Sequence, residues 1–120
     1  MSTTTQFDLD RFTRAAEERD AETQLSMYGP DAVVTITDKI SQPGSPRVLR
    51  THDEIKDWLE DMFGRDMTHN VRHRVLDDAG AAFSVACRYP DGTNVLCATV
   101  IELVAGVITG QTVIQVWDEA

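Results

Sequence analysis

The sequence predicts an α+β fold, in which three helices of the N-terminal half pack on a strongly curved antiparallel or mixed sheet. Amphipathic segments fill the first half, and a nearly continuous β-forming segment runs from Met67 to Trp117, with turns at 77–80, 90–93 and 105–106. Such a sheet needs one covered face, and only the N-terminal half is available to cover it. We therefore expect a cone with an internal pocket, a shape that favours binding of a small molecule.

The first two helices are predicted from capping residues and from the spacing of apolar side chains. Asp8 or Asp10 can cap the first helix, and Asp20 can cap the second, with Thr23 at the capping-box position. Gly29-Pro30 is expected to end the second helix. The apolar stripe of the first helix consists of Leu9, Phe12, Ala15 and Ala16.

A strand, a loop and a third helix follow. The segment from Ala32 to Thr37 is rich in β-branched residues and predicts a strand. Residues 38–50 contain two prolines and a glycine, which predict a loop. Thr51-His-Asp-Glu54 is a capping box that begins a third helix, and Gly64 ends it.

A hairpin at Asp91-Gly92 predicts which side chains of the C-terminal strands face the pocket. If Pro90 pairs with Thr93, Glu102 lies opposite Ala81 and faces inward. A slip of one residue would reverse this facing. The inward face is predicted to hold His69, Val71, His73, Val75, Phe83, Val85, Cys87 and Leu96.

Composition and charge indicate the number of domains and the partners that this chain can bind. The chain has 120 residues, of which 42% are hydrophobic and 26% charged, as expected for one globular domain over residues 1–120, with residues 1–6 disordered. A net charge of -9 disfavours nucleic acid and anionic membranes as partners. No secretion signal or apolar stretch of about 20 residues is recognised, so a cytoplasmic location is expected.

The two cysteines, Cys87 and Cys97, fall on consecutive strands. In a cytoplasmic chain they are expected to be reduced core residues rather than a disulfide. They lack the spacing of a metal site, and no Gly-rich phosphate loop occurs. We therefore expect neither a metal nor another cofactor.

The whole pattern resembles the SnoaL-like branch of the nuclear-transport-factor-two-like, cystatin-like α+β superfamily. The stretch from Phe12 to Thr37, with FTRAAEERDAETQLSMYGPDAVVTI, is similar to that family's two helices, Arg-Asp link and Asp-Ala-Val strand. The helix at Thr51–Gly64 and the Ala-Gly-Val-Ile-Thr-Gly strand also fit. The family includes ketosteroid isomerases, polyketide cyclases, dehydratases, epoxide hydrolases and pocket proteins, and dimers through the outer sheet face are common in it.

The resemblance to ketosteroid isomerases can be tested position by position. Their helix tyrosine corresponds to Phe12, and their aspartate base corresponds to Ile36, neither of which transfers a proton. Only the third position, a protonated carboxyl group, is kept as Glu102. The resemblance therefore disfavours the isomerase mechanism, and the Asp-Arg-Asp network of epoxide hydrolases has no clear counterpart.

Three residues are candidate catalytic groups. His73, flanked by apolar neighbours, could accept and return a proton near neutral pH, or could be a partly buried histidine bonded to a carboxylate or carbonyl group. Glu102 interrupts an apolar strand and could be a pocket acid, or a solvated outer residue. Asp38 could lie at the cavity mouth or end a strand. Ser84 is expected on the strand face opposite to His73, which disfavours a nucleophilic triad.

The expected function is that of a cofactor-free cyclase, dehydratase or isomerase, which acts on a small apolar metabolite by proton transfer. A non-catalytic ligand-binding or dimeric interaction module is the alternative. A homodimer is expected because apolar residues of 95–107 point both ways, so that the outer face is also covered. The candidate substrate-binding residues are His69, Tyr28, Tyr89, Phe12, Ile36, Val71 and Val85.

Overall fold

The computed structural model describes residues 6–119. The disorder expected for residues 1–6 falls, apart from Gln6, outside this range. Residues 6–119 contain three helices: α1 (Leu9–Glu17), α2 (Ala21–Leu25) and α3 (His52–Gly64). Asp8 accepts a hydrogen bond from the Arg11 N–H and Asp20 accepts one from the Thr23 N–H, so both predicted N-caps are confirmed.

The capping box of α3 is also confirmed. The Glu54 N–H donates to the Thr51 hydroxyl oxygen at 3.1 Å, and the Thr51 N–H donates to the Glu54 carboxylate at 3.1 Å. These bonds satisfy two backbone donors at the start of the helix. They fix the angle at which α3 leaves the preceding loop and crosses the sheet.

Gly29 and Pro30 do not end the second helix, so that prediction is wrong. Helix α2 already ends at Leu25, and both residues lie in the first strand. A Cβ atom on Gly29 would stand 2.9 Å from Val107 Cγ1 and 3.0 Å from the Ile108 carbonyl oxygen. Glycine is needed here for close approach of two strands, not for a helix stop.

Within the described part of the chain, six strands form one mixed sheet. They are β1 (Tyr28–Thr37), β2 (Arg47–Leu49), β3 (Thr68–Leu76), β4 (Gly80–Arg88), β5 (Asn94–Val104) and β6 (Val107–Trp117). Their spatial order is β2-β1-β6-β5-β4-β3, with β1 parallel to β6 and every other pair antiparallel. This is the predicted α+β architecture of three helices on a curved sheet.

The inner face of the sheet, which the helices cover, carries the core. Burial alternates strictly along β5, where Val95, Cys97 and Thr99 are buried and the residues between them are exposed. Helix α1 packs on β3 and α2, and α3 packs on β1 and α2. The most deeply buried large side chains are Phe12, Ile36, Ile55, Leu59, Ile101, Ile108 and Val34.

The hairpin between β4 and β5 differs from its prediction by one residue. Cys87 pairs with Val95, not with Leu96. The Gly92 N–H donates to the Tyr89 carbonyl oxygen, and Gly92 has a φ of 93°, so the loop has three residues rather than two. Pro90 lacks the N–H that a closing pair with Thr93 would require. As a result, every β5 side chain faces the side opposite to the predicted one.

Candidate functional site

The helix-covered side of the sheet contains an open cavity of about 280 Å³. It lies between α3, the end of β1, the start of β2 and the adjoining ends of β4, β5 and β6. Tyr89, Ile36 and Asp38, three of the candidate residues, lie on its wall. The rest of the wall is formed by Lys39, Ile40, Arg47, Trp58, Asp61, Met62, Arg65, Met67, Cys87, Val95, Cys97, Gln115 and Trp117.

A smaller inner cavity of about 50 Å³ adjoins the open one. The two cavities share five wall residues, and Phe12, His69 and Val85 line only the inner one. A space of this size holds one or two water molecules. The shared residues are Trp58, Met62, Cys87, Cys97 and Gln115.

His69 lies on β3 and is only 8% exposed. Its Nδ1 atom is 3.4 Å from Cys87 Sγ, and its ring meets that of Phe63 edge-on, with 5.4 Å between the centroids. Within residues 6–119 its Nε2 atom has no hydrogen-bond partner, although the atom is buried. A buried polar atom without a partner costs free energy, so it calls for a ligand or a water molecule.

Cys87 and Cys97 are diagonal neighbours on the inner face, because Cys87 pairs with Val95 and Cys97 pairs with Val85. Both thiols are reduced and buried. The neighbouring Cys97 thiol, together with the contact to His69, lowers the pKa of the Cys87 thiol. The neighbouring Cys87 sulfur and burial raise the pKa of Cys97. Of the two sulfur atoms, Cys87 Sγ is therefore the one that ionises more readily.

Tyr28 fills the core beneath the inner cavity. Its hydroxyl group donates to Gln111 Oε1, and burial raises the pKa of Tyr28 so far that the phenol stays protonated. Phe12 packs against the Tyr28 ring, with 5.9 Å between centroids. Tyr28 is therefore a structural donor that orients Gln111, which lines the inner cavity.

The cavity mouth carries an aromatic and cationic cluster. The rings of Tyr89 and Trp117 are stacked with centroids 5.8 Å apart, and Lys39 Nζ lies 4.3 Å from the Trp117 ring centroid. Arg65 donates to the Tyr89 hydroxyl oxygen at 3.0 Å and pairs with Asp61 at 2.7 Å. These contacts hold two flat rings at the entrance, where they can pack against an apolar ligand.

Asp38 lies on the wall at the mouth and also ends β1. Its Oδ1 atom accepts hydrogen bonds from the Ile40 N–H at 3.0 Å and the Ser41 N–H at 2.7 Å. Both sequence interpretations of Asp38 therefore hold in part. Because its Oδ1 atom already accepts two backbone N–H groups, the Asp38 side chain is held in place at the end of the strand.

His73 does not face the cavity, so the prediction of its facing is wrong. It is exposed on the outer face, where its Nδ1 atom lies 2.9 Å from Ser84 Oγ. A β-bulge between Arg72 and Val75 inserts one residue into β3, and His73 adopts a φ of 57° there. Ser84 and His73 thus share a face, contrary to the prediction that they lie on opposite faces.

Glu102 also lies outside the cavity, contrary to its prediction. It is exposed, it pairs with Gly80 and Gly110, and it lies across Gly110, where a Cβ atom would be only 2.8 Å from Glu102 Oε2. The shifted hairpin register is the cause. The predicted pair of His73 and Glu102 is therefore not assembled on the inner side.

The remaining candidates have mixed outcomes. Val85 is buried in the wall of the inner cavity, and Val71 is half-buried with its N–H donating to Glu17. Sequence reasoning missed Trp58, Gln111 and Gln115 as wall residues. An amide in place of an aliphatic residue at two inward positions of β6 was the available signal.

Two features are absent from residues 6–119. Within this range, no group of three or more His, Cys, Asp or Glu side chains could hold a metal ion. None of the helices of the described residues is long and apolar enough to cross a membrane.

Comparisons with known proteins agree with this fold. Residues 9–111 match the pattern of the SnoaL-like domain. None of the curated proteins matches the chain significantly.

Solved structures of similar fold include three informative examples. An NTF-2 like protein of unknown function from Burkholderia xenovorans is 15% identical, with a TM-score of 0.74 and coverage of 93% of this chain and 80% of that one. A suggested ketosteroid isomerase from Kribbella flavida is 17% identical, with a TM-score of 0.73 and coverage of 92% and 75%. SalBIII, an epoxide hydrolase/cyclase-like enzyme of pyran ring formation in salinomycin, is 18% identical, with a TM-score of 0.67 and coverage of 90% and 87%. At these identities the likeness shows the fold alone.

Proposed function

The chain belongs to the family of SnoaL-like domains, and on that premise we propose that it binds a small, largely apolar metabolite and transforms it by cofactor-independent proton transfer. The reaction class is cyclisation, dehydration or isomerisation. The proposed acid–base group is His69, in place of the predicted His73. The ligand enters the cavity of about 280 Å³ and reaches the wall shared with the inner cavity.

The observation that carries this proposal is the state of the His69 ring. One nitrogen atom contacts the Cys87 thiol at 3.4 Å, and the other is buried beside the inner cavity with no partner among residues 6–119. A histidine that is held by one nitrogen presents the other in a defined orientation and can donate or accept a proton through it. Phe63 packs against the ring and limits its rotation.

The other wall residues would orient the substrate. Trp58 and Met62 supply apolar contacts deep in the cavity, and the Gln115 amide supplies both a donor and an acceptor. At the mouth, the stacked rings of Tyr89 and Trp117 can hold the apolar part of the ligand. Proteins of this fold include one named a ketosteroid isomerase and SalBIII, which takes part in pyran ring formation, so the fold can accommodate reactions of this class.

The test compares two histidines of one strand. His69→Asn keeps a polar atom near the position of Nδ1 but cannot transfer the proton, whereas His73→Asn changes the outer face only. Conversion of a panel of β-hydroxy ketones and linear diketones is followed by mass spectrometry and chromatography. We expect His69→Asn to lower kcat about 100-fold with little change in KM, and His73→Asn to leave both unchanged. Full activity of His69→Asn would refute the assignment.

A non-catalytic binding module is the second candidate function. The specific observation in its favour is the small size of the inner cavity, about 50 Å³. Only a few atoms of a ligand fit beside His69 in this space. In that case a ligand would be confined to the mouth. It would be recovered unchanged, and its affinity would depend on Trp117 and Tyr89 but not on His69.

We also propose that the outer face of the sheet binds a second copy of the chain. Large apolar side chains are exposed there on the two central strands, with Val116 64% exposed and Val100 54% exposed. A symmetric dimer presents the same patch from both partners, and an apolar patch needs no matching charges. This is favourable in a chain whose net charge of -9 would otherwise repel its copy. The patch consists of Leu96, Val100, Val104, Val107, Ile114 and Val116.

A further inference from the structure

We propose that Cys87 is a nucleophilic thiol that adds covalently to small α,β-unsaturated carbonyl compounds entering the cavity, with His69 carrying the proton. This site goes beyond the proposed function, because a stable adduct needs neither a second reaction step nor turnover. Because the proton-transfer function and the thiol addition use the same cavity, adduct formation and turnover are measured separately. One can then fail while the other succeeds.

The geometry of three side chains supports a reactive thiol. Cys87 Sγ lies 3.4 Å from His69 Nδ1, and Cys97 is its diagonal neighbour on the adjacent strand. Both sulfur atoms lie on the wall shared by the open and inner cavities, so a molecule in the open cavity meets them directly. A thiol beside an imidazole is the arrangement that activates a cysteine nucleophile.

The electrostatics distinguish the two thiols. The neighbouring Cys97 thiol and the contact with His69 both lower the pKa of Cys87. The neighbouring Cys87 sulfur and burial raise the pKa of Cys97. The contact that sets Cys87 apart in the structure is the 3.4 Å approach of its Sγ atom to His69 Nδ1. Since the thiolate is the nucleophilic form, addition is expected at Cys87 and not at Cys97.

The addition balances without any further reactant. The Cys87 proton moves to His69 Nδ1, and the sulfur forms a C–S bond with the β-carbon of the ligand. The carbon–carbon π bond breaks, and its electrons pass to the α-carbon and the carbonyl oxygen as an enolate. The α-carbon then takes the proton back from His69, so nothing leaves and nothing is oxidised or reduced.

The chemistry of the wall indicates this ligand class. A thiolate is soft and polarisable, and it reacts readily with a conjugated carbon. The apolar residues around it, Trp58, Met62 and Val95, suit a compact uncharged molecule. The cavity of about 280 Å³ restricts the ligand to a small one.

The experiment uses acrylamide as the probe. The protein is reduced, freed of reductant and exposed to acrylamide at pH 6, and adducts are counted by intact mass and located by peptide mapping. At pH 6 an ordinary thiol is below about 1% ionised, so a lowered pKa multiplies the thiolate fraction, while reduced nucleophilicity offsets part of the gain. We expect one adduct, on Cys87, formed about tenfold faster than on N-acetylcysteine under the same conditions.

Variants assign the roles. Cys87→Ser should abolish the fast adduct, and His73→Asn, which changes only the outer face of the same sheet, should keep it. His69→Asn should slow it and move the pH dependence of the rate upward, towards that of an ordinary thiol. The pH profile of the unaltered protein tests the same point without any substitution, so a variant that fails to fold does not block the test.

The outcomes are distinct. A first adduct on Cys97, a Cys87 rate no greater than that of N-acetylcysteine, or an unchanged rate in His69→Asn would overturn the proposal. An adduct on Cys87 in a protein that converts none of the panel compounds would support this inference and count against the proton-transfer function.

Discussion

His69 and His73 lie on the same strand, four residues apart, yet their imidazole rings are on opposite sides of the sheet. A regular strand would place both on one face, because side chains alternate with a period of two. The bulge between Arg72 and Val75 adds one residue, and His73 takes a φ of 57° within it. His69 therefore contacts Cys87 inside, while His73 contacts Ser84 outside.

Replacing Ala105 should stabilise the fold. Ala105 has a φ of 51° and Gly106 a φ of 77°, as in the type I′ turns that join strands such as β5 and β6. Alanine is disfavoured in this conformation, and asparagine tolerates it. We expect Ala105→Asn to raise the free energy of unfolding by about 0.5–1 kcal/mol, as measured by urea denaturation. Ala98→Asn, at an exposed position within β5, should lower it instead; a gain at both positions would contradict this explanation.

Removing the Tyr28 hydroxyl group should be costly. Tyr28→Phe leaves Gln111 Oε1 buried without its donor, and a buried acceptor without a partner costs about 1–3 kcal/mol. Urea denaturation should show a loss in this range. Tyr89→Phe is the control, because its ring is half-buried at the mouth, and it should cost less. Equal losses would indicate that the Tyr28–Gln111 bond contributes nothing specific.

The N-cap of α2 should make stability depend on pH in acid. The hydrogen bonds from Thr23 hold the pKa of Asp20 below its ordinary value of 3.8. A carboxyl group whose pKa is lower in the folded than in the unfolded state stabilises the fold. This contribution is complete above the unfolded-state pKa and is lost as the pH falls through the folded-state pKa. Asp20→Ala should thus lower Tm at pH 7, and the difference should narrow below pH 3.8. Asp57→Ala, on the exposed side of α3, should change Tm little. If the Tm difference between Asp20→Ala and the unaltered protein grew in acid, the N-cap explanation would be contradicted.

The outer face should control the oligomeric state. Val100→Lys places a charge in the centre of the exposed apolar patch, whereas Asp57→Ala leaves the patch intact. Sedimentation at micromolar concentration should show a dimer for the unaltered protein and for Asp57→Ala, and a monomer for Val100→Lys. A monomer in all three cases would refute the proposed dimer.

The architecture could be predicted because local signals agree with the final packing. The caps at Asp8, Asp20 and Thr51 and the buried stripe that includes Phe12 all reappear in the structure. Each of these signals is confined to a few neighbouring residues, and the tertiary fold does not override it.

The site could not be predicted to the same extent because facing depends on single-residue shifts. At the β4–β5 turn the signal was present, since Pro90 cannot close a two-residue hairpin. At the β3 bulge there was none, because the residue with positive φ is His73 rather than glycine. The two shifts together moved His73 and Glu102 to the outer face and brought Cys97 next to Cys87.

We propose that the ligand meets the His69 Nε2 atom, which has no hydrogen-bond partner among residues 6–119. A crystal structure of the protein with a bound compound from the panel tests this claim most directly. We predict electron density in the cavity, with a ligand oxygen or reacting carbon next to His69 Nε2 and the apolar part against Trp117 and Tyr89. Density confined to the outer face beside His73, or a ligand in the cavity with His69 Nε2 turned to another protein atom, would contradict it.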